Sequence, residues 1–301
     1  MLSNFLPQDY NAESQNWAIV EDDRGIIYVG NGSGVLEYDG VTWKQISLPN
    51  RIMARSLARD QSGRIWVGGN NELGYLTSDE QGSTVFVSLR EKIPAQYSDF
   101  LDVWTTYATD DGIYFTTWGA IFRWDGISMK VWSPQNSFHM SFVVDGAFYV
   151  REFGIGLKRM EHTESGEELL LAPGGERFAE TRIYAMLPFD GEQILIGTRE
   201  ENLLLYDGQE AKAFSTEADR LLTKGGIYQP GVVLPGGLYG LGTTSEGLIV
   251  IDSAGNLVEQ VNSEAGLQDN TIFFTYADSH ANVWLGMDKG IARVEVGSHF
   301  T

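Results

Sequence analysis

One segment of about 43 residues recurs seven times along the 301-residue chain, and this periodicity limits the possible folds more than any other feature. The copies begin near residues 17, 55, 104, 138, 183, 227 and 272. The position of Gly30 is glycine in most copies, and its equivalents in chain order are Gly68, Thr116, Arg151, Gly197, Gly242 and Gly286. Repeats of about 40–50 residues are typical of propeller blades. The spacing therefore predicts a seven-bladed β-propeller.

Each repeat consists of short runs rich in β-branched and aromatic residues, separated by turn residues and without a sustained helical period. In the first repeat these runs predict strands near residues 17–21, 26–31, 35–38 and 42–48. The 35 glycines of the chain are more than an average protein carries, which fits many tight turns. We therefore expect an all-β fold built from four-stranded antiparallel blades.

An aspartate and a glycine recur in the turn between the first two strands of a repeat. They are Asp23 and Gly25 in the first copy; the later pairs are Asp60 and Gly63, Asp111 and Gly112, Asp145 and Gly146, and Asp190 and Gly191. Aspartate accepts hydrogen bonds from nearby backbone amides, and glycine tolerates a positive φ. No calcium-binding loop pattern surrounds these aspartates, so we interpret them as structural.

The seventh repeat supplies three strands, and residues 1–15 precede the first repeat. A strand near Phe5 that joins the last blade would remove an open sheet edge and close the ring. We therefore predict that residues 1–301 form a single propeller domain closed by an N-terminal strand. Thr216 and Asp219 have capping-box spacing and predict one helical turn at 216–222.

The chain has a net charge of −20 and no cluster of basic residues, which disfavours nucleic acid and anionic lipid as partners. It has no cysteine, so disulfides, thiolate catalysis and cysteine-ligated metals are excluded. Residues 1–10 lack the pattern of a signal peptide. The uncharged stretch 225–245 contains seven glycines and two prolines, which predicts turns and strands rather than a membrane helix.

The pattern D-x-x-G-x-I-[WY]-V-G, followed by G-[VL]-x-x-[YW]-D-G and an aromatic fourth strand, resembles the regulator-propeller repeat of bacterial two-component sensors. The resemblance covers nearly the whole chain and is strongest at 16–48, 55–74 and 272–294. In that family, propellers precede a triple-tyrosine β-sandwich, a membrane helix and an output domain. The resemblance implies a periplasmic ligand-sensing module, often for saccharides or other nutrients, and a homodimeric parent protein.

Catalytic and metal-binding motifs are absent from the sequence. The histidines at positions 139, 162, 280 and 299 are scattered, and no H-E-x-x-H, G-x-S-x-G, P-loop or dinucleotide fingerprint occurs in a suitable context. We therefore expect no cofactor, no metal and no catalytic residue. His139 stands out because it lies at the predicted start of an inner strand, where it either packs or bonds a ligand.

The starts of the predicted inner strands are rich in aromatic residues. These positions are Trp17, Arg55, Trp104, His139, Tyr184, Tyr228 and Phe273. Aromatic faces can stack on a sugar ring, with polar neighbours that set its orientation. The same rings could instead only fill the narrow end of a propeller channel, so both interpretations stay open.

The loops between the second and third strands of the blades add polar candidates on the same predicted face. They include Asn31, Asn70, Trp118, Arg151 and Arg199, and Arg182 precedes the fifth inner strand. Three converging arginines could bind a carboxylate or a sulfate. Alternatively, surface ion pairs could neutralise them; the acidic residues nearby in sequence are Glu152, Glu180, Glu200 and Glu201.

These observations favour a non-catalytic, extracytoplasmic sensor that binds a small molecule or an oligosaccharide on its loop face, without inserting into the membrane. One alternative is a propeller lyase or lactonase with a divalent metal in the channel, for which Asp288 and His139 are the candidates. Another is a scaffold that binds a second polypeptide. The sequence does not separate them fully, because recognition in a propeller depends on loops from several blades.

Overall fold

The computed structural model describes residues 1–164 and 166–296, apart from the side chain of Gln229. His299, one of the four histidines noted above, lies outside the described residues. Two compact units divide the chain. The first comprises Met1–Ser133 together with the chain from Asp278 onward, and the second comprises Pro134–Ala277.

The helices and strands follow the short runs of the repeats. The first unit begins with β1 (Leu2–Phe5), α1 (Pro7–Tyr10), β2 (Asn16–Glu21), β3 (Ile27–Asn31), β4 (Gly34–Tyr38), β5 (Trp43–Ile46), β6 (Ala54–Arg59), β7 (Ile65–Gly69), β8 (Glu72–Ser78), β9 (Thr84–Ser88), β10 (Thr105–Thr109), β11 (Gly112–Thr116), β12 (Ile121–Trp124) and β13 (Met129–Trp132). The second unit contains β14 (Phe138–Val144), β15 (Ala147–Glu152), β16 (Gly156–Thr163), β17 (Gly166–Leu171), β18 (Ile183–Pro188), β19 (Ile194–Thr198), β20 (Leu203–Tyr206), β21 (Ala211–Ala213), α2 (Asp219–Gly225), β22 (Ile227–Leu234), β23 (Leu238–Thr243), β24 (Leu248–Asp252), β25 (Leu257–Val261) and β26 (Ile272–Ala277). The last two strands of the described residues are β27 (Asn282–Met287) and β28 (Gly290–Glu295), which belong to the first unit.

These strands form seven four-stranded sheets, which confirms the predicted seven-bladed β-propeller. Six blades use four consecutive strands, in the orders β2-β3-β4-β5, β6-β7-β8-β9, β10-β11-β12-β13, β14-β15-β16-β17, β18-β19-β20-β21 and β22-β23-β24-β25. The seventh has the order β1-β28-β27-β26. Whether residues 1–301 behave as one domain stays a prediction.

The predicted closing strand is confirmed. β1 is antiparallel to β28, and its register runs from Leu2 opposite Val294 to Phe5 opposite Ile291. The Phe5 ring stacks on Trp284 of β27 with a centroid distance of 5.7 Å. The N-terminal segment therefore covers the free edge of the last blade with backbone hydrogen bonds and an aromatic contact.

The recurring glycine is explained by the packing of one blade on the next. In the first unit, a Cβ on Gly30 would lie 2.8 Å from the carbonyl oxygen of Ala54, which belongs to the following inner strand. In the second unit, a Cβ on Gly242 would lie 2.7 Å from Cγ2 of Ile272. A side chain at either of these positions would push the neighbouring blade away, so close packing favours glycine in these blades.

Asp60 has the predicted structural role, since its carboxylate accepts backbone amides of its turn, but the aspartate of the first repeat was assigned to the wrong residue. Asp22, not Asp23, accepts the amides of Arg24 and Ile26 at 2.8 and 3.0 Å. The Asp23 carboxylate instead pairs with Arg59 of the next blade. The two aspartates are adjacent, and only the folded turn shows which carboxylate points back to the backbone.

The predicted helical turn begins three residues later than expected, as α2. Thr216 and Asp219 do hydrogen-bond, with 2.8 Å between Thr216 Oγ1 and Asp219 Oδ1, but Thr216 precedes the helix and Asp219 is its first residue. The N-cap is Ala218. Residues 227–243 form β22 and β23, as expected for the uncharged stretch. In the described part of the chain, no helix is long and apolar enough to cross a membrane.

Asp60 connects its turn to the buried Trp66 through hydrogen bonds. Its carboxylate accepts the Trp66 indole N–H at 2.8 Å and the backbone amides of Ser62 and Arg64. Burial alone raises the pKa of this carboxyl, but the hydrogen bonds outweigh burial and hold the pKa below its usual value. Its stabilising effect is therefore complete above about pH 4 and is lost as the pH falls towards the lowered pKa.

We expect Asp60→Ala to reduce the free energy of unfolding by about 1–3 kcal/mol, because the substitution leaves the buried Trp66 N–H without its acceptor. Urea denaturation at pH 7 measures this loss. Asp39→Ala is the matched control, since the exposed Asp39 accepts only amides and a hydroxyl of its own turn. Equal decreases in the free energy of unfolding of the two variants would show that the hydrogen bond between Asp60 and Trp66 does not contribute to stability.

Candidate functional site

β-Bulges place the predicted rim residues. In the first blade, Asn16 pairs with Asn31 and Ala18 with Gly30, so Trp17 is an extra residue in its strand. Arg55 in β6 and Tyr184 in β18 occupy the same kind of register shift. Bulges redirect a side chain away from the regular alternation of a strand. The repeat thus presents one redirected side chain at the start of several inner strands.

In the first unit, four side chains form a continuous stack, which we call the tryptophan–arginine stack: Trp17, Arg55, Trp104 and Trp118. The Arg55 guanidinium carbon lies 3.6 Å from the centroid of the Trp17 ring and 4.0 Å from that of Trp104. Trp104 and Trp118 are nearly parallel, with an interplanar angle of 4° and a centroid distance of 5.3 Å. Cation–π and stacking contacts make this row of planar groups mutually supporting.

The outer end of the stack is open to solvent. Trp118 lies in the loop between β11 and β12 and is 51% exposed, whereas Trp17, Arg55 and Trp104 are half-buried. A large exposed aromatic ring held parallel to a partly buried one offers a flat apolar surface. The structure therefore brings together four of the residues predicted from the sequence, although their role in ligand binding stays a prediction.

In the second unit, the rim residues form a second group, the aromatic row: His139, Phe153, Tyr184, Tyr228 and Phe273. His139 contacts Tyr184 with a centroid distance of 5.1 Å, Tyr184 stacks on Tyr228 at 5.2 Å, and Tyr228 contacts Phe273 at 5.8 Å. The Phe153 ring also contacts His139, with a centroid distance of 5.3 Å. Each neighbouring inner strand thus adds one ring.

The imidazole of His139 is uncharged at neutral pH. Burial, as the largest cause, and the charges of Arg151 and Arg182 together lower its pKa to about 3. His139 is 5% exposed. Two cationic neighbours make this imidazole a poor ligand for a divalent metal, and they favour groups of negative charge.

The three arginines predicted to converge have different hydrogen-bond partners, although the charges of Arg151 and Arg182 both act on His139. Their binding of an anion stays a prediction. Arg182 donates to the Glu200 carboxylate at 2.6 Å, which is one of the anticipated surface ion pairs. Arg199 lies against Gly226 and donates weakly to Thr244 Oγ1 at 3.5 Å. Arg151 bonds backbone carbonyls instead of an acidic side chain. These contacts depend on the connections between blades, which the sequence pattern did not resolve.

The two predicted asparagines have structural contacts. Asn31 is fully buried, and its amide group donates to Glu13 O at 2.7 Å and to Asn16 Oδ1 at 2.8 Å. Its carbonyl oxygen accepts the amide of Ser33. Asn70 donates to Asp102 Oδ1 at 3.0 Å. Asn31 therefore holds the chain segment before the first blade, and its hydrogen-bonding capacity is already used.

Phe153 was not among the candidates derived from the sequence. It follows β15, is 37% exposed, and its ring lies 4.3 Å from the Arg151 guanidinium carbon. The sequence feature that could have indicated Phe153 is the nearby Arg151, which replaces the recurring glycine of the repeat. Because Phe153 falls in a turn, the strand pattern gave no indication of its direction.

A cavity of about 470 Å³ lies elsewhere in the first unit, between the turns of the first two blades. Its lining includes Asp22, Arg24, Glu37, Lys44 and Arg64. Arg24 and Asp22 are already paired with each other at 2.7 Å. We consider this cleft a weaker candidate than the stack, because its charges are of both signs and compensate one another.

Residues 47–71, which include β6 and β7, match the model of the two component regulator propeller family. No curated protein shows significant similarity to the chain. The matched segment contains Arg55 of the stack and Asn70 of the adjoining loop.

Solved structures share the fold at low identity. The extracellular domain of BT4673 from B. thetaiotaomicron, described as a hybrid two component system, is 20% identical over 97% of the chain, with a TM-score of 0.70. That of BT3049, a second such system from the same organism, is 13% identical over 98%, with a TM-score of 0.70. Virginiamycin B lyase from Staphylococcus aureus is 15% identical over 97%, with a TM-score of 0.69.

The chain spans 39% and 42% of the two extracellular domains and 98% of the lyase. At these identities, structural likeness establishes the fold alone, and the lyase shows that the same fold also serves an enzyme. The matched family model covers residues 47–71, and the four-stranded sheet that contains them recurs in seven blades. The chain therefore resembles the two component regulator propeller family and carries one segment that matches its model.

Proposed function

We propose that this propeller is the ligand-sensing part of an extracytoplasmic bacterial receptor and that it binds a saccharide or a similar small molecule on the tryptophan–arginine stack. The observation that carries the proposal is the solvent-exposed Trp118 ring held parallel to Trp104. The two extracellular domains of hybrid two-component systems with this fold support the location and the sensor role.

A sugar ring has apolar C–H faces and polar edges, and it suits a flat aromatic surface with nearby hydrogen-bonding groups. The stack is already ordered by Arg55, which lies between two tryptophans. A preorganised surface loses little side-chain entropy when a ligand binds. Binding would favour one of two receptor states, and that population shift would be transmitted to domains of the parent protein, including a homodimeric partner.

The lyase alternative is less well supported by the surroundings of His139. A metal-dependent lyase needs a cation near its catalytic histidine, whereas Arg151 and Arg182 give this position a positive potential. Asp288, the other candidate, accepts a hydrogen bond from Gln15 at 2.7 Å within the first unit. We therefore favour the sensor over the enzyme. The scaffold alternative predicts no response to small molecules.

Thermal-shift and calorimetric titrations with neutral oligosaccharides test the proposed function. We expect one of them to raise the melting temperature, and Trp118→Ala to weaken its binding about tenfold, or about 1.4 kcal/mol, by removing the exposed stacking face. Trp132→Ala is the matched control, because Trp132 lies on the outer strand β13 beside Tyr114, outside the stack.

A ligand whose affinity falls equally in both variants would contradict binding on the stack. A melting temperature that responds only to divalent metals would favour the lyase. No response to any saccharide, together with capture of a polypeptide partner, would replace the sensor proposal with the scaffold.

A further inference from the structure

The fourth blade departs from the repeat at its most constrained position. Arg151 occupies the place held by Gly30, Gly197 and Gly242 in other blades, and its register confirms the equivalence. Arg151 pairs with Leu157 in β16, as Gly197 pairs with Leu203 and Gly242 with Leu248. Packing alone favours glycine here, so the largest cationic side chain at this position needs another explanation.

Arg151 is almost fully buried, at 1% exposure, yet its charge is not matched by a bonded carboxylate. Its Nε donates to Phe178 O at 2.8 Å, and its Nη2 donates to Ala179 O at 2.5 Å. Within residues 1–164 and 166–296, nothing accepts a hydrogen bond from its Nη1. Two neutral carbonyls orient the guanidinium but leave its positive charge and one of its donor groups available.

The acidic side chains of the region have other partners. Glu152, the next residue, is fully buried; it accepts the backbone amides of Gln135 and Asn136 and pairs with Lys158 at 2.7 Å. Glu200 accepts hydrogen bonds from Arg182, so it acts on Arg151 only at a distance, as does Glu180. Against the larger effect of burial, Glu200 and Glu180 thus raise the pKa of Arg151 through their charges, but neither forms a hydrogen bond with its guanidinium.

A second buried polar group borders the same place. The Nδ1 of His139 makes no hydrogen bond to the described residues, and the imidazole contacts the Phe153 ring that also lies over the Arg151 guanidinium. Phe153 is partly exposed and belongs to a turn, so its ring can leave without breaking a strand. One guanidinium donor and one imidazole nitrogen, both without a hydrogen-bond partner among the described residues, therefore belong to side chains that contact the Phe153 ring.

We propose that Arg151 and His139 bind the carboxylate group of a small ligand at a site of their own in the second unit, which the ligand reaches when the Phe153 ring moves aside. The inference goes beyond the proposed function, because it names a site that the proposed function does not use. A carboxylate would form a charge-assisted hydrogen bond with Nη1 and would be flanked by the uncharged imidazole. The net charge of −20 opposes long polyanions, so a ligand with one carboxylate, such as a monomeric uronic acid, fits best.

Calorimetric titration of the full chain compares D-glucuronate with D-glucose, and acetate with acetamide, at matched ionic strength. We expect each carboxylate to bind at least tenfold more tightly than its neutral counterpart. Arg151→Met should remove this preference while leaving the affinity for the neutral compounds unchanged. Arg182→Met is the matched control and should keep the preference, since Arg182 is half-exposed and already paired with Glu200.

Phe153→Ala provides a second test if Arg151→Met does not fold. Removing the ring uncovers the Arg151 guanidinium and the His139 imidazole, so acetate should bind more tightly than it does to the wild type. Equal binding of acetate and acetamide by the wild type, or a preference that survives Arg151→Met, would overturn the inference. The proposed function fails separately, when no neutral saccharide binds in a Trp118-dependent manner.

Discussion

Removal of residues 1–5 is expected to lower the melting temperature by about 10 °C, which corresponds to a loss on the order of 5 kcal/mol. The deletion removes all of β1 and so exposes the edge of β28. It also removes the Phe5 ring from between Trp284 and the first-blade residues Tyr38 and Trp43. Differential scanning calorimetry measures the change, and sedimentation velocity detects self-association through the exposed edge.

Two point variants separate the aromatic contact from the strand itself. Phe5→Ala should cause part of the loss, about 2 kcal/mol, because this side chain is only partly buried. Leu6→Ala should have almost no effect, since Leu6 is exposed and follows the strand. If the shortened chain melts within 2 °C of the full chain, the N-terminal strand does not close the propeller in the way that we describe.

The buried histidine is expected to make the protein sensitive to mild acid. The pKa of His139 is about 3 in the folded chain, whereas an unfolded histidine has a pKa of about 6.5. Below pH 6.5 the unfolded state therefore binds a proton that the folded state does not, and stability falls as the pH falls towards 3. Between pH 6.5 and 4.5 the expected loss is about 2–3 kcal/mol.

Urea denaturation at a series of pH values between 7.5 and 4.5 measures this loss. His139→Phe should remove the histidine's share of the slope, because phenylalanine keeps the ring contacts with Phe153 and Tyr184 but does not titrate. His280→Gln serves as the control and should follow the wild type, since His280 lies in an exposed turn. Parallel curves for His139→Phe and the wild type would mean that His139 is solvated in the folded state.

The fold could be read from the sequence because its determinants are local and repeated. Each strand of the first blade begins within one residue of its predicted start and ends within two residues of its predicted end. The seven copies of the glycine position correspond to the seven sheets. Turn chemistry and strand alternation act within a few residues. Errors therefore stayed small, such as the choice of Asp23 over Asp22 and the start of α2.

The candidate site was predicted only in outline. The residues at the inner-strand starts do come together within each unit, because equivalent positions of neighbouring blades must be neighbours. The partners of Arg151 and Arg199 could not be predicted, since they come from connections that differ in length and sequence between blades. The same applies to Phe153, whose direction is set by a turn rather than by a strand.

The amino-acid sequence by itself determined the repeat, the number of blades and the closing strand, because each follows from periodicity and short-range chemistry. Only the tertiary structure decided which side chains are already satisfied. It uses Asn31 and Glu152 internally, pairs Arg182 with Glu200, and leaves the Arg151 guanidinium buried beside His139. The physical reason is that hydrogen-bond partners are chosen by contacts between distant segments, and these exist only once the blades have packed.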